Sequence, residues 1–175
     1  CVDADTILEP NAIEKLLKAF NDENIYIASG FVKTKCNDNI WQSARHGEYI
    51  LGQCISKSAH SNTNSIIVAS GCFMAVRTSF IKSHGFKKRT MAEDMDMTWE
   101  VIENGFEVAF VDDAICHVSD PYNWHTYNKQ LERWYRGFFQ NIKVRSAKSF
   151  MKTPRLSFVI FPYFILNISM LPLNI

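Results

Sequence analysis

Cys1-Val-Asp-Ala-Asp-Thr-Ile-Leu-Glu-Pro10, continued by Asn-Ala-Ile-Glu-Lys-Leu-Leu-Lys-Ala-Phe20, is the stretch whose reading decides the fold. A short apolar residue runs into two carboxylates, Asp3 and Asp5, one residue apart. That is the end of a strand opening into an acidic turn. Because the strand has no earlier part, the chain reads as a fragment of a longer domain. Pro10 sits where a first-turn proline is tolerated, and Ile13, Leu16, Leu17 and Phe20 recur at helical spacing, so an amphipathic helix of about ten residues follows.

The same alternation continues outward. Ile25 to Val32 is a β-branched, aromatic run broken by Gly30, and Ile40 to Ser56 carries Trp41, Ala44, Tyr49 and Ile50 loosely at helical period. His60 to Ser65 is polar and reads as a loop. Ile66 to Val76, with Gly71 inside it, reads as strand, turn and second strand. A short helix over Thr78 to His84 should stop at Gly85, and a second, from Glu93 to Asn104, at Gly105, since glycine is favoured just past a helix end. Phe106 to Val111 and Ala114 to Val118 are expected strands. A long helix should begin at Asn123 or Thr126 and reach about Lys148. Strands and helices in turn, with an acidic turn at a strand end, predict an α/β domain on a mostly parallel sheet, whose ligands lie beyond the carboxyl ends of the strands.

Of the 175 residues, 47% are hydrophobic and 21% charged, which excludes disordered, collagen-like and disulfide-scaffold classes. The net charge of +1 conceals two runs. Thr90 to Asp113 holds eight acidic residues and no Lys or Arg, and Arg133 to Arg155 holds seven basic residues and no acidic ones. As charge runs they are expected to be solvated faces. The five cysteines lack a CxxC pair, so neither zinc nor a disulfide framework is expected, only buried, reduced thiols. Leu156 to Ile175 is twenty residues without a charge. A run of about twenty can span a bilayer core, and the basic run before it suits a cytoplasmic flank.

Three groups of residues carry chemistry. Asp3 and Asp5 offer the oxygen-rich setting that a hard divalent cation takes, completed by substrate phosphates. Glu93 and Asp94, with Asp96, open a helix. There they suit the helix dipole, and one of them could also remove a proton from an acceptor hydroxyl. Gln130, Arg133 and Trp134 stand at i, i+3 and i+4 and share one helix face, joining an amide, a guanidinium fork and an aromatic plate. Each also has a plain structural reading as a solvated turn, a helix start and a packed helix.

In that order, DxD, an acidic Glu-Asp pair and QxxRW, followed by an apolar segment, the chain resembles the family 2 glycosyltransferases. Within them it is similar to the branch of cellulose, chitin, hyaluronan and poly-N-acetylglucosamine synthases. The resemblance runs from Asp3 to about Arg145. It implies the C-terminal part of a GT-A (Rossmann-like) domain over residues 1–150, with an interface and the start of a transmembrane or interfacial region over 151–175. It further implies an inverting transfer from a nucleotide-diphosphate sugar, with Asp3 and Asp5 holding Mg²⁺ or Mn²⁺ and the donor diphosphate. Asp94 would be the general base with Glu93 beside it, and Gln130, Arg133 and Trp134 would line the acceptor and pyrophosphate site. Ser70, Gly71, Cys72 and Phe73 would form a small-residue loop near the acceptor, ahead of a basic residue matched by Arg77. Ala92 departs from the family's usual Thr. His117 is either a third metal ligand or a histidine packed at a strand end. The partners would be a nucleotide-sugar donor, a glycan or lipid-linked acceptor and membrane lipids, with no nucleic acid, and the catalytic domain would be cytoplasmic at a membrane. A single-transfer enzyme acting on a lipid, like ceramide glucosyltransferase, and a non-catalytic membrane-anchored module are the competing expectations.

Overall fold

The backbone of the architecture is one parallel pair. In a computed structural model that describes residues 1–36, 38–57, 65–145 and five positions between 153 and 162, β2 (Ile25–Thr34) and β4 (Glu107–Val118) run side by side. β1 (Ile7–Leu8) pairs antiparallel with β4, and β3 (Met74–Val76) antiparallel with β2, giving the order β1-β4-β2-β3. The sheet is therefore mixed rather than mostly parallel. Its longest ladder is parallel and both flanking strands are reversed. An isolated antiparallel bridge between Val2 and Phe73 adds the residues before the acidic turn to this sheet.

The two strands expected over 106–111 and 114–118 are one strand with a bulge. Opposite Gly30 the partner is Val111, and opposite Phe31 it is Ile115, so Asp112, Asp113 and Ala114 are extra. An odd number of extra residues turns the following side chains to the other face. Val108 accordingly packs with Ile27, Trp99 and Phe138 in one core cluster, whereas Ala114, Cys116 and Val118 pack with Ala28, Val32 and Leu16 in the other. Two polar residues in mid-strand are the sequence trace of that crossing.

The helices are α1 (Ala12–Lys18), α2 (Ile40–Ile50), α3 (Thr78–His84), α4 (Glu93–Glu103) and α5 (Trp124–Val144). α1 starts two residues after Pro10 and buries only Ala12 and Leu16, leaving Ile13 and Leu17 exposed. Asn39 caps α2, its side chain accepting from the Trp41 and Gln42 amides, and a π-helical turn over Leu51–Lys57 continues it. Gly85 and Gly105 both take positive φ past α3 and α4, as the sequence required. Asn123 caps α5 through the Thr126 amide at 2.9 Å. Residues 66–70 are not a strand. They are held by side chains of α4 instead, as described below.

α5 crosses the start of α4 at Gly137. A Cβ there would stand 2.6 Å from Ala92 Cβ and 2.8 Å from the Ala92 backbone nitrogen. Ala92 is thus small because a helix lies on it. Gly137→Ala should destabilise by about 1–3 kcal/mol through overpacking, although helix propensity alone predicts a gain of about 1 kcal/mol. Thermal inactivation of the variant decides the sign. A variant more stable than wild type would refute the close crossing.

The expected membrane segment and the 151–175 unit lie outside the described residues, apart from the five positions between 153 and 162. Lys148, the expected end of α5, and most of the His60–Ser65 loop lie outside as well. Among the described residues no helix is long and apolar enough to cross a membrane. The cysteines are free, but Cys1, Cys36 and Cys54 are exposed, Cys72 is half-buried and Cys116 alone is buried. The charge runs are not simply solvated faces either. Asp96 and Glu100 of the acidic run are buried, and Arg145 of the basic run reaches both Asp96 and Glu103.

Candidate active site

Four elements meet on the segment Ser70-Gly71-Cys72-Phe73. The Ser70 amide donates to Ser29 Oγ of β2 at 3.1 Å, and the Phe73 amide closes a turn onto the Ser70 carbonyl at 3.1 Å. From the N-terminal side, the Asp3 amide donates to the Cys72 carbonyl at 3.2 Å. From α4, Asp94 Oδ2 accepts from the Gly71 amide at 3.0 Å. The acidic turn and the Glu93-Asp94 pair, ninety residues apart in sequence, are thereby pinned to neighbouring residues of one loop. Gly71 makes this possible, because a Cβ on it would already be 3.2 Å from Asp94 Cβ.

Asp94 is held hard in that position. Its Oδ1 accepts from the Met95 amide at 2.8 Å. One turn on, Thr98 Oγ1 donates to the Asp94 carbonyl at 2.7 Å and accepts from the Ala69 amide at 3.0 Å, while Trp99 Nε1 donates to the Ile67 carbonyl at 2.8 Å. These bonds replace a strand ladder along 67–71. Burial pushes the Asp94 carboxyl above the ordinary range, the two amide bonds and the charge of Lys57 oppose this, and Glu93 adds to it. The net direction is upward, which is what a carboxylate serving as a base near neutral pH needs.

Asp96, two residues on, does something else. Arg89 grips it with two bonds of 2.8 and 2.9 Å, and Arg145 reaches its Oδ1 at 2.8 Å. Burial would raise its pKa, but the two guanidinium groups outweigh burial and hold it below the usual carboxylate range. Asp96 is a tie between helices, and Glu93 is exposed.

Asp3 and Asp5 are exposed in a turn closed by the Thr6 amide on the Asp3 carbonyl at 3.1 Å. Neither enters an ion pair among the described residues, and no group of three or more His, Cys, Asp or Glu there could enclose a metal. Two free oxygen donors fit a hard cation whose remaining ligands are phosphate oxygens and water, not a cage built from protein alone. His117 is engaged elsewhere, its Nε2 lying 3.0 Å from Glu9 Oε1.

Gln130 and Trp134 share a face of α5, as their spacing implies, and both turn to Arg45 of α2. Arg45 Nη2 donates to Gln130 Oε1 at 2.8 Å, and its guanidinium lies 4.6 Å from the Trp134 ring and 4.4 Å from the Tyr127 ring. Glu48 bonds both Arg45 and the Tyr127 hydroxyl. Arg133 does not join them and is exposed. Arg77 is committed to backbone, donating to the carbonyls of Phe20, Asp22 and Ile25. Tyr122 and Trp124 are exposed, and Trp124 stacks with Tyr127 and meets Trp41 at a tilt of 43°.

Two basic residues at the centre of these networks escaped the sequence reading. Arg45, 1% exposed, stands in a helix of weak period with no motif around it. Lys57 ends the π-helical turn with its Nζ 2.7 Å from Ser70 Oγ and 3.4 Å from Ser29 Oγ, over the Phe110 ring. The only local signal was a lone cation in an otherwise uncharged stretch from Leu51 to Ile67.

Residues 1–137 match the family model described as "Glycosyltransferase like family 2". Among curated relatives, the hyaluronan synthase of Streptococcus pyogenes is 30% identical over 163 residues, covering 87% of this chain and 38% of the relative. The poly-beta-1,6-N-acetyl-D-glucosamine synthase of Staphylococcus epidermidis is 27% identical over 164 residues, covering 91% and 39%. That of Staphylococcus aureus is 26% identical over 170 residues, covering 95% and 39%. The chain thus spans about two-fifths of the length of the relatives it matches.

Proposed function

The chain belongs to the family 2-like glycosyltransferases, and on that footing we propose that it forms part of a polysaccharide synthase. The reaction is an inverting transfer of a sugar from a nucleotide-diphosphate donor, a UDP-sugar, to the end of a growing glycan. A polymer is favoured over a lipid acceptor because the relatives quoted are named as synthases of polysaccharides. The observation that carries the reading is the Gly71–Asp94 contact, which sets a half-buried carboxylate of raised pKa on the same loop that holds the Asp3 backbone.

In this mechanism Asp94 accepts the proton of the acceptor hydroxyl as that oxygen attacks the anomeric carbon from the face opposite the leaving diphosphate, and inversion follows from one displacement. Asp3 and Asp5 would hold Mg²⁺ or Mn²⁺ against the diphosphate, and the cation supplies charge neutralisation of the leaving group. Arg133, exposed and unpaired among the described residues, is free to add a guanidinium to that diphosphate. Gln130 and Trp134, fixed by Arg45, would offer an amide and an aromatic ring to the acceptor. The uncharged run 156–175 behind seven basic residues supports a membrane location with the catalytic part on the cytoplasmic side.

The test is a panel of UDP-sugars offered to the full-length enzyme with and without chelator, beginning with UDP-N-acetylglucosamine. Asp5→Ala should abolish metal-dependent donor binding and lower transfer at least about a hundredfold, since it removes one of the two carboxylates that would hold the cation at the leaving group. An Asp5→Ala enzyme with an unchanged metal requirement would remove Asp3 and Asp5 from this role.

A further inference from the structure

We infer that Lys57 is a positioning residue for Asp94, its ammonium fastening the Ser70–Gly71 loop to β2 and supplying the positive charge that faces the Asp94 carboxylate. The inference rests on the proposal that Asp94 is the base. Ser70 is next to Gly71, whose amide holds Asp94, and Lys57 Nζ bonds both Ser70 Oγ and Ser29 Oγ, so one ammonium joins the loop to the sheet. Even a half-buried ammonium is costly unless hydrogen-bonded and balanced by an opposite charge. Two hydroxyls and the face of Phe110 meet the first need only in part.

Among the described residues, the titratable groups that act on Lys57 through their charge are Cys72 from the loop, Asp94 from α4 and Cys116 from β4. Asp94 is the one carboxylate among them, and Cys72, whose thiol the hydrogen bond to Cys116 pulls down against burial, is the second group that can carry negative charge beside the ammonium. Burial lowers the Lys57 pKa to about 8 against the pull of those three groups, so below that pH the ammonium is charged. The reciprocal effect falls on Asp94, where Lys57 adds to the two amide bonds that work against the upward push of burial. A residue that merely filled space would leave the ionisation of Asp94 untouched.

The experiment is the pH dependence of kcat for the full-length enzyme carrying Lys57→Met, Lys57→Arg, Ser70→Ala or Asp94→Asn, with thermal inactivation measured in parallel. Removing the charge in Lys57→Met leaves only the two amide bonds to oppose burial, so the acidic limb of the profile should move up by about half to one pH unit, as loss of one nearby opposite charge requires. Lys57→Arg should return the limb towards its wild-type position. Ser70→Ala keeps the charge but frees it from the loop. It should also raise the limb, and it serves if Lys57→Met fails to accumulate. An acidic limb that stays at its wild-type pH in a folded Lys57→Met or Ser70→Ala enzyme overturns the role of Lys57. Full activity of Asp94→Asn would instead overturn the base itself, so the two failures are distinct.

Discussion

Replacing Arg145 by Met should cost the folded enzyme about 3 kcal/mol, the lower end of what removing one partner of a buried ion pair costs. Arg145 is the C-terminal cap residue of α5 and is 3% exposed. Its guanidinium reaches Asp96 Oδ1, the Asp96 carbonyl, Glu103 Oε1 and Asn141 Oδ1, all between 2.8 and 3.0 Å, and stacks over Trp99. A methionine of similar length keeps most of the packing and removes every one of those donors. Asp96, 2% exposed, is then left with Arg89 alone. Arg89→Met should cost distinctly less, because Arg89 is 37% exposed and water can replace it.

The pH dependence of that effect has a definite sign. Asp96 is held below the ordinary carboxylate range in the fold, so its pairing adds stability above that range and the contribution fades as pH falls through the depressed value. Without Arg145 the folded value rises towards the unfolded one, and the acid loss of stability should begin at higher pH. Thermal inactivation midpoints from about pH 2 to about pH 6, a span that brackets the ordinary Asp value of about 3.9, check both statements. An Arg145→Met enzyme as stable as wild type, or one whose acid limit is unmoved, would contradict the tie.

The Arg145 pairing also shows where the sequence is mute. An acidic run and a basic run, taken separately, suggest two wet faces, because a run says nothing about which run it will meet. The fold lays α5 across the start of α4, and one arginine of the second run closes on two carboxylates of the first. Local elements were more legible. Gly85, Gly105 and Asn123 mark their helix ends for reasons confined to a few residues, and the structure keeps all three. The β4 bulge was visible only as a gap between two strands, since Asp112 and Asp113 interrupt the apolar pattern without saying that the strand continues.

The motifs divide the same way. The spacing of Gln130 and Trp134 fixed their shared face, but their common partner Arg45 lies eighty-five residues from Gln130 and carries no pattern. The meeting of Asp3 and Asp94 on one loop depends on residues 67–73, which read as a strand and turn and are in fact strapped down at Ala69 by Thr98 and at Ile67 by Trp99. Asp96 looked like part of the acidic site and is spent on arginines. Lys57 had no signal beyond its own charge.

Asp94→Asn is the substitution with the largest expected effect on turnover. Asparagine keeps the size, and its single carbonyl oxygen can still accept from the Gly71 amide at the cost of the Met95 bond, so the loop should stay in place. It cannot take a proton, and loss of a positioned general base lowers rate by about a hundredfold to ten-thousandfold. Donor binding should survive, because Asp3 and Asp5 are untouched. The most direct test therefore measures two quantities on one preparation of the full-length Asp94→Asn enzyme: the affinity for the nucleotide-sugar in the presence of Mg²⁺ or Mn²⁺, and the rate of sugar incorporation into product. Affinity within a few-fold of wild type with incorporation lowered at least about a hundredfold is the expected result. Incorporation at the wild-type rate would contradict it, and with it the assignment of the Gly71–Asp94 contact as the centre of the active site.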